Sequence, residues 1–262
     1  MGTALVTGAT SGLGEEFCWQ LAAARHDLVL VARHRDALDR MAERLRWVAG
    51  VRAEALPADL ARPEDVERVA ARLDARRGDG SGLAPVGLLV NNAGFGLGRP
   101  FLEDSLGREQ AALDVMVRAV MVLSHRAGRA MLARGSRGHG AILNVASAAA
   151  DTGMGTYSAH KAWVRAFTEG LSVELAGSGV TATAVCPGLT RTGFHDAAGV
   201  DVSGTPGWVW CSAEQVVGSA LDAVRRGRVL VTPTPLYKAA GRAARLAPRW
   251  AVRGAVRRLP HM

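Results

Sequence analysis

Lysine is nearly missing from this 262-residue chain: only Lys161 and Lys238 occur among 32 basic residues. Tyrosine is as scarce, with Tyr157 and Tyr237 alone. The three cysteines, Cys18, Cys186 and Cys211, lie far apart and form no CxxC pair. Such spacing excludes a zinc finger and a disulfide framework, so no metal site is expected, and a reduced, cytoplasmic protein is. No apolar run reaches the ~18 residues that cross a bilayer. No basic segment precedes Ala4–Thr7, so no secretory signal is expected. Acidic residues are absent from 236–262, which holds Lys238, Arg242, Arg245, Arg249, Arg253, Arg257 and Arg258. Without these seven cations the formal net charge of +8 falls to +1. A body so nearly neutral lacks the field of a nucleic-acid binder. The tail spaces its arginines helically around Leu246 and Trp250. Pro248 interrupts it, so a solvated face is expected there rather than a peripheral membrane contact.

What is present is globular. Apolar residues make up 48% of the chain, enough to exclude disorder. Short apolar runs at Ala4–Thr7, Leu28–Ala32, Val51–Leu56, Val86–Val90, Ile142–Val145, Val180–Val185 and Val229–Thr232 read as strands buried on both faces. Helix-length stretches with apolar spacing near 3.6 separate them, as in Val164, Phe167, Leu171 and Leu175. The alternation predicts one doubly wound α/β domain of the Rossmann type, a seven-stranded parallel sheet with helices on both faces. The domain is expected over 1–235, with 236–262 as a basic tail. Residues 76–84 and 135–140 read as a loop and a turn. Gly193–Cys211 reads as a long irregular excursion, of the kind that forms lids.

The first strand runs into Gly8-Ala9-Thr10-Ser11-Gly12-Leu13-Gly14 and then a helix. Such a turn lets backbone approach a phosphate, and the helix N-terminus adds free N–H groups and a positive dipole end. No lysine follows, which excludes a triphosphate P-loop. The second strand ends at Arg33, followed by Arg35, where NAD-binding sheets carry an acid for the ribose 2′-hydroxyl. A guanidinium binds a 2′-phosphate bidentately, so NADP is expected over NAD.

One of the two tyrosines and one of the two lysines fall in Tyr157-x3-Lys161. Chance places such a pair in about 1.5% of shuffled chains. On a helix the two share a face. An ammonium beside a phenol lowers the phenol's pKa, which suits proton transfer at a carbonyl or alcohol oxygen. Upstream, the fifth strand ends at Ala146-Ser147, where parallel sheets bind ligands.

In this order the motifs resemble those of the short-chain dehydrogenase/reductase family, over roughly residues 1–232, and in detail its bacterial ketoreductases. They are Thr7–Gly14, Ala58-Asp59-Leu60, Asn91-Asn92-Ala93-Gly94, Asn144–Ser147, Tyr157-x3-Lys161 and Pro187-Gly188. The resemblance implies a general acid in Tyr157, a ribose and phenol partner in Lys161, and a substrate-oxygen donor in Ser147. It implies cofactor contacts at Gly8, Thr10, Ser11, Gly12, Leu13, Gly14, Arg33, Arg35, Asp59, Leu60, Asn91, Ala93, Gly94, Tyr157, Lys161, Pro187, Gly188, Thr190 and Thr192. In that setting Asp59 and Leu60 would meet the adenine, and Thr192 the carboxamide of the nicotinamide. A substrate lid at 193–212 follows, with Trp208 and Trp210 on it. The expected activity is NADPH-dependent reduction of a small, apolar ketone or aldehyde by a homodimer or homotetramer. A non-redox lyase, cyclase or isomerase on the same fold, and a nucleotide-binding sensor, are the alternatives.

Two departures stand out. Where the family has an asparagine that orders a relay water, this chain has Met116. Ser147 and Tyr157 are ten residues apart, against about thirteen in the family, which is expected to open that side of the cleft and to disturb Ser147.

Overall fold

The computed structural model describes residues 2–75, 84–134 and 140–256. Of the predicted loop 76–84 and turn 135–140, residues 76–83 and 135–139 lie outside the described residues, and Gly140 opens a strand instead. Seven parallel strands form one sheet in the order β3-β2-β1-β4-β5-β6-β7. They are β1 (Thr3–Thr7), β2 (Asp27–Ala32), β3 (Ala53–Pro57), β4 (Val86–Asn91), β5 (Gly140–Val145), β6 (Val180–Val185) and β7 (Leu230–Val231). The predicted strands are all present, with shifts of a residue or two at their ends. The largest are at two strand starts: β3 begins two residues later, at Ala53, and β5 two residues earlier, at Gly140, while the edge strand β7 keeps only Leu230 and Val231.

Burial on both faces explains the unbroken apolar runs. Along β1, Ala4 and Val6 enter one core cluster and Leu5 the other, and all three are fully buried. Helices α1 (Gly12–Ala23), α2 (Arg35–Ala49) and α8 (Ala213–Arg225) cover the first face with Phe17, Leu21, Leu38, Leu45 and Val217. Helices α3 (Pro63–Leu73), α4 (Leu106–Leu113), α5 (Ala119–Leu132) and α6 (Gly155–Glu174) lie on the other. Each such buried leucine contributes ~1.5–3 kcal/mol of transfer free energy. One π-helical turn, Asp114–Arg118, joins α4 to α5 and carries Met116.

Strand order reverses between β1 and β4, the place where open α/β sheets bind ligands beyond their carboxyl ends. The excursion after β6 is less irregular than its composition predicts: it contains α7 (Phe194–Ala198) and a 3-10 turn at Gly207–Val209. The basic tail folds as α9 (Pro235–Leu246) and α10 (Arg249–Val256), broken at Pro248 as expected.

Candidate active site

At the carboxyl end of β1 the glycines serve different steric needs. Gly8 has φ +67°, and a Cβ there would press within 2.9 Å of the Asn92 amide and 3.1 Å of the Ala93 backbone. Gly14 sits so close that a Cβ would overlap the Gly8 carbonyl. Gly12, at φ +52°, packs against Thr192. Asn92 fixes this turn: its Nδ2 donates to the Thr7 carbonyl at 2.9 Å. The Asn92 and Ala93 amides donate to Thr7 Oγ1, each at 3.0 Å. Ser11 stands exposed at the N-cap of α1 and makes no side-chain bond to the first-turn amides. Backbone that no Cβ can approach, at an uncapped helix start, fits a pyrophosphate.

Arg33 and Arg35 are exposed beyond β2, and neither forms an ion pair among the described residues. Asp59 is half-buried and Leu60 buried. The Asp59 carboxylate accepts from the Ala61 amide at 3.1 Å, and Leu60 is buried in the core. Asn91 is buried with Ser124, Asn144 and Thr168 in a side-chain chain linking β4, β5 and α6. These bonds tie the strands to the helices beside them.

Ser147, Tyr157 and Lys161 converge at the carboxyl end of β5. Ser147 Oγ accepts from the Ala149 amide at 3.1 Å and lies close enough to the Tyr157 phenol to lower its pKa. One helical turn on, Lys161 Nζ donates to the Val145 carbonyl at 2.8 Å and lies 5.7 Å from the centre of the Tyr157 ring. The shortened loop therefore does not displace Ser147. The opened side of the cleft is covered instead. Asp151, on the 3-10 turn Ala148–Asp151, pairs with Arg165 of α6 and with Arg245 of α9. Tyr237 of α9 lays its ring on Gly188, and its hydroxyl accepts the Leu189 amide at 3.1 Å.

The electrostatics differ from the sequence expectation. Burial pushes the Tyr157 phenol up to about 12, against a smaller lowering by Ser147. Burial brings the Lys161 ammonium down to about 8. Both groups are nearly free of solvent, 6% and 4% exposed, so desolvation of each charged form outweighs the ammonium's pull on the phenol.

Met116 stands where the resemblance implies an asparagine. It is fully buried, and a Cβ on Gly94 would lie 3.4 Å from its sulfur and 3.4 Å from Lys161 Nζ. A thioether offers no donor to a relay water.

The segment after Pro187 closes over this group. Thr192 lies on Gly12 and thus at the glycine turn. Thr190 Oγ1 donates to the Gly188 carbonyl at 3.0 Å. The Phe194 ring is 5.8 Å from that of Tyr157, and His195 stands edge-on between Phe194 and Trp210. Trp210 packs the lid, while Trp208 is 73% exposed. Gly96 and Gly98 form the opposite seam, where a Cβ on Gly98 would overlap the Ala198 carbonyl. Sequence reasoning missed Asn92, Tyr237 and this glycine seam. The Asn91-Asn92 doublet and the second of two tyrosines were the signals available for the first two.

Comparisons with known proteins show the family. The short chain dehydrogenase family model matches residues 2–201. A galactitol 2-dehydrogenase (L-tagatose-forming) of Cereibacter sphaeroides is 35% identical over 194 residues, covering 72% of this chain and 71% of that one. A short-chain dehydrogenase of Sphingobium yanoikuyae, solved in complex with NADPH, is 34% identical with a TM-score of 0.81, covering 98% and 94% of the two chains. One from Burkholderia phymatum, solved with NAD, is 27% identical with a TM-score of 0.77, covering 92% of each chain. The protein belongs to the short-chain dehydrogenase/reductase family and is an oxidoreductase acting on alcohols and ketones.

Proposed function

We propose that the protein reduces a ketone or aldehyde, with NADPH supplying the hydride and Tyr157 the proton. The observation that carries this reading is the convergence of Ser147, Tyr157 and Lys161 beside a glycine turn fit for a pyrophosphate. Ser147 and Tyr157 lie side by side and would both reach one substrate oxygen. A phenol raised to about 12 is protonated at neutral pH, which suits an acid in the reductive direction. The proton passes to the substrate oxygen as the carbonyl carbon gains its hydride. The phenolate left behind is stabilised by Lys161, held 5.7 Å from the ring. The nicotinamide cofactor carries the hydride; the protein orients it and supplies the acid.

Gly8, Thr10, Ser11, Gly12, Leu13 and Gly14 would hold the pyrophosphate and adenosine ribose, and Asn91, Ala93 and Gly94 would border the ribose. Pro187, Gly188, Thr190 and Thr192 would frame the nicotinamide. NADP over NAD rests on Arg33, with Arg35 beside it: both are unpaired among the described residues, and no acid stands at the end of β2. The solved relatives carry either nucleotide. The catalytic unit would span 1–235, with 193–212 as its lid, and Phe194 and Trp210 supply the aromatic wall for an apolar substrate. Exposed Leu113, Met121 and Val173 along the α4–α5 and α6 helices support a homo-oligomer. The non-redox reading has Met116 in its favour; an intact Tyr157–Lys161 pair speaks against a pure sensor.

The test is nucleotide binding followed by loss of reduced-nicotinamide absorbance over a panel of ketones and aldehydes. NADPH should bind more tightly than NADH, and Arg33→Ala should erase that preference. Tyr157→Phe should keep NADPH binding and lose turnover. Binding without consumption by the wild type would move the reading to non-redox chemistry. Equal affinity for the two nucleotides would overturn the role of Arg33.

A further inference from the structure

Helix α9 turns its amphipathic pattern outward. Tyr237, Gly241 and Arg245, one turn apart, face the body: Tyr237 on Gly188, Gly241 beside Asp151, and Arg245 paired with Asp151. At about 3.6 residues per turn, Leu236, Ala239, Ala243 and Leu246 therefore share the opposite sector. All four are exposed, Leu246 to 87%, and α9 buries no residue. Arg242 and Lys238 flank this sector, both exposed and without an ion pair among the described residues. Beyond the Pro248 break, Trp250 is 72% exposed and Arg253 stands in solvent. A helix stabilised by its own fold would place its leucines inward and its cations outward. This one shows water a strip of leucine and alanine with cations at its margin.

We infer that the outward face of α9, with Trp250 of α10, docks on an anionic bilayer surface. Charge complementarity selects this occupant: residues 236–262 hold seven cations and no carboxylate side chain. A second copy of the same face would meet it with like charge. The strip of Leu236, Ala239, Ala243 and Leu246 is shallow and has no pocket to recognise one protein. A bilayer adapts to such a surface, and tryptophan settles at its headgroup level. No helix of the described residues is long and apolar enough to cross a membrane, so the contact is peripheral. The expectation of a merely solvated tail weighed the Pro248 break against one long helix. The break instead separates two helices that each present an exposed large apolar residue. Because α9 also walls the cleft through Tyr237 and Arg245, docking would bring the substrate entrance beside the lipid surface.

The experiment is co-sedimentation of the full chain with vesicles of phosphatidylcholine alone, or with a third phosphatidylglycerol, at low and at 0.5 M salt. Binding to the anionic vesicles is expected, with little to the neutral ones, and high salt should weaken it at least tenfold. Each cation at an anionic leaflet multiplies partitioning by roughly fivefold. Arg242→Gln/Arg253→Gln should therefore lower it by roughly 25-fold. Leu246→Ser/Trp250→Ser should weaken it at least tenfold with melting temperature and NADPH affinity unchanged, since both side chains lie in solvent. Absence of binding by the wild type would overturn the inference. So would anionic binding indifferent to Leu246→Ser/Trp250→Ser, which would show charge attraction alone. A dimer in vesicle-free solution that these two substitutions dissociate would assign the face to a second copy and overturn it as well.

Discussion

Lys161 offers a test in which stability and activity move in opposite directions through the same pH range. Its ammonium is buried, with one hydrogen bond to the Val145 carbonyl, and its pKa falls to about 8 from the ordinary 10.5. The unfolded chain thus holds this proton at pH values where the folded chain has lost it. Folding stability from this group is fully present above about 10.5 and is lost as pH falls through about 8. At about 1.4 kcal/mol per pH unit, the span from 8 to 10.5 amounts to about 3.5 kcal/mol. Lysine is only 4% exposed there, so solvent screening takes little from this figure. Lys161→Met removes the titration while keeping most of the volume. Urea unfolding of both proteins at pH 7, 8, 9 and 10 gives the difference in stability, from which all other titrations cancel. Wild type should gain about 2.5 kcal/mol on the variant across that range, the rest appearing only above pH 10. Reductive turnover by the wild type should fall above about pH 8 as the ammonium is lost, while Tyr157, at about 12, keeps its proton. A difference constant from pH 7 to 10 would refute the claim that the folded protein holds a desolvated charge at this position.

Other expectations rest on single contacts. Gly98→Ala places a Cβ on the Ala198 carbonyl at φ +67°, so the lid should spring open. KM for the carbonyl substrate should rise at least tenfold, NADPH affinity should hold, and protease should cut within 193–212. Met116→Asn exchanges a fully buried thioether for an amide and should cost about 2–4 kcal/mol, or ~5–15 °C in melting temperature. If proton supply limits turnover, the same variant should nonetheless raise kcat and reduce its solvent deuterium isotope effect; unchanged kinetics would show that Met116 imposes no such limit. Asp151→Asn strips a charge partner from the half-buried Arg165 and should cost about 2–3 kcal/mol. Arg245→Ala, whose side chain is 48% exposed, should cost under about 1 kcal/mol. Equal losses from the two would show that α9, rather than α6, depends on Asp151.

The sheet was legible because parallel strands buried on both faces write themselves as continuous apolar runs, and seven such runs occur. The glycine turn and the Tyr157–Lys161 pair were legible because each sits within one local segment whose geometry the sequence sets by itself. Arg33 is found exposed at the end of β2, where its position in the sequence put it. Contacts between distant segments were not legible. Asn92 anchors Thr7 across 85 positions of sequence, and Tyr237 reaches Leu189 across 48. Neither partner carries a mark of the other in its own neighbourhood. The pKa directions failed for the same reason. Spacing places an ammonium near a phenol, but only the packed structure shows that both have lost their water, and that loss is the larger effect.

The shortened loop shows how such distant contacts change what a local departure means. Taken alone, ten residues between Ser147 and Tyr157 leave one wall of the cleft lower and Ser147 less constrained. In the fold the short connection becomes a 3-10 turn that Ser147 itself caps, which fixes its hydroxyl beside Tyr157. The space above is taken by α9, more than 75 residues further along, held through Arg245 on Asp151 and Tyr237 on Gly188. A longer loop would compete with α9 for the same side of the cleft. Chain removed at one wall is thus replaced by chain from the tail, and the substitute carries different chemistry. Its inner face supplies a phenol and a guanidinium, and its outer face an apolar strip with cations. The size of substrate admitted should therefore respond to substitutions in α9 as strongly as to those in the lid. Tyr237→Ala removes the ring that covers Gly188 and should widen acceptance toward bulkier ketones, measured as the ratio of kcat/KM for a large to a small substrate. A ratio unchanged from wild type would mean that α9 lies outside the substrate's reach and only braces the turn at Gly188.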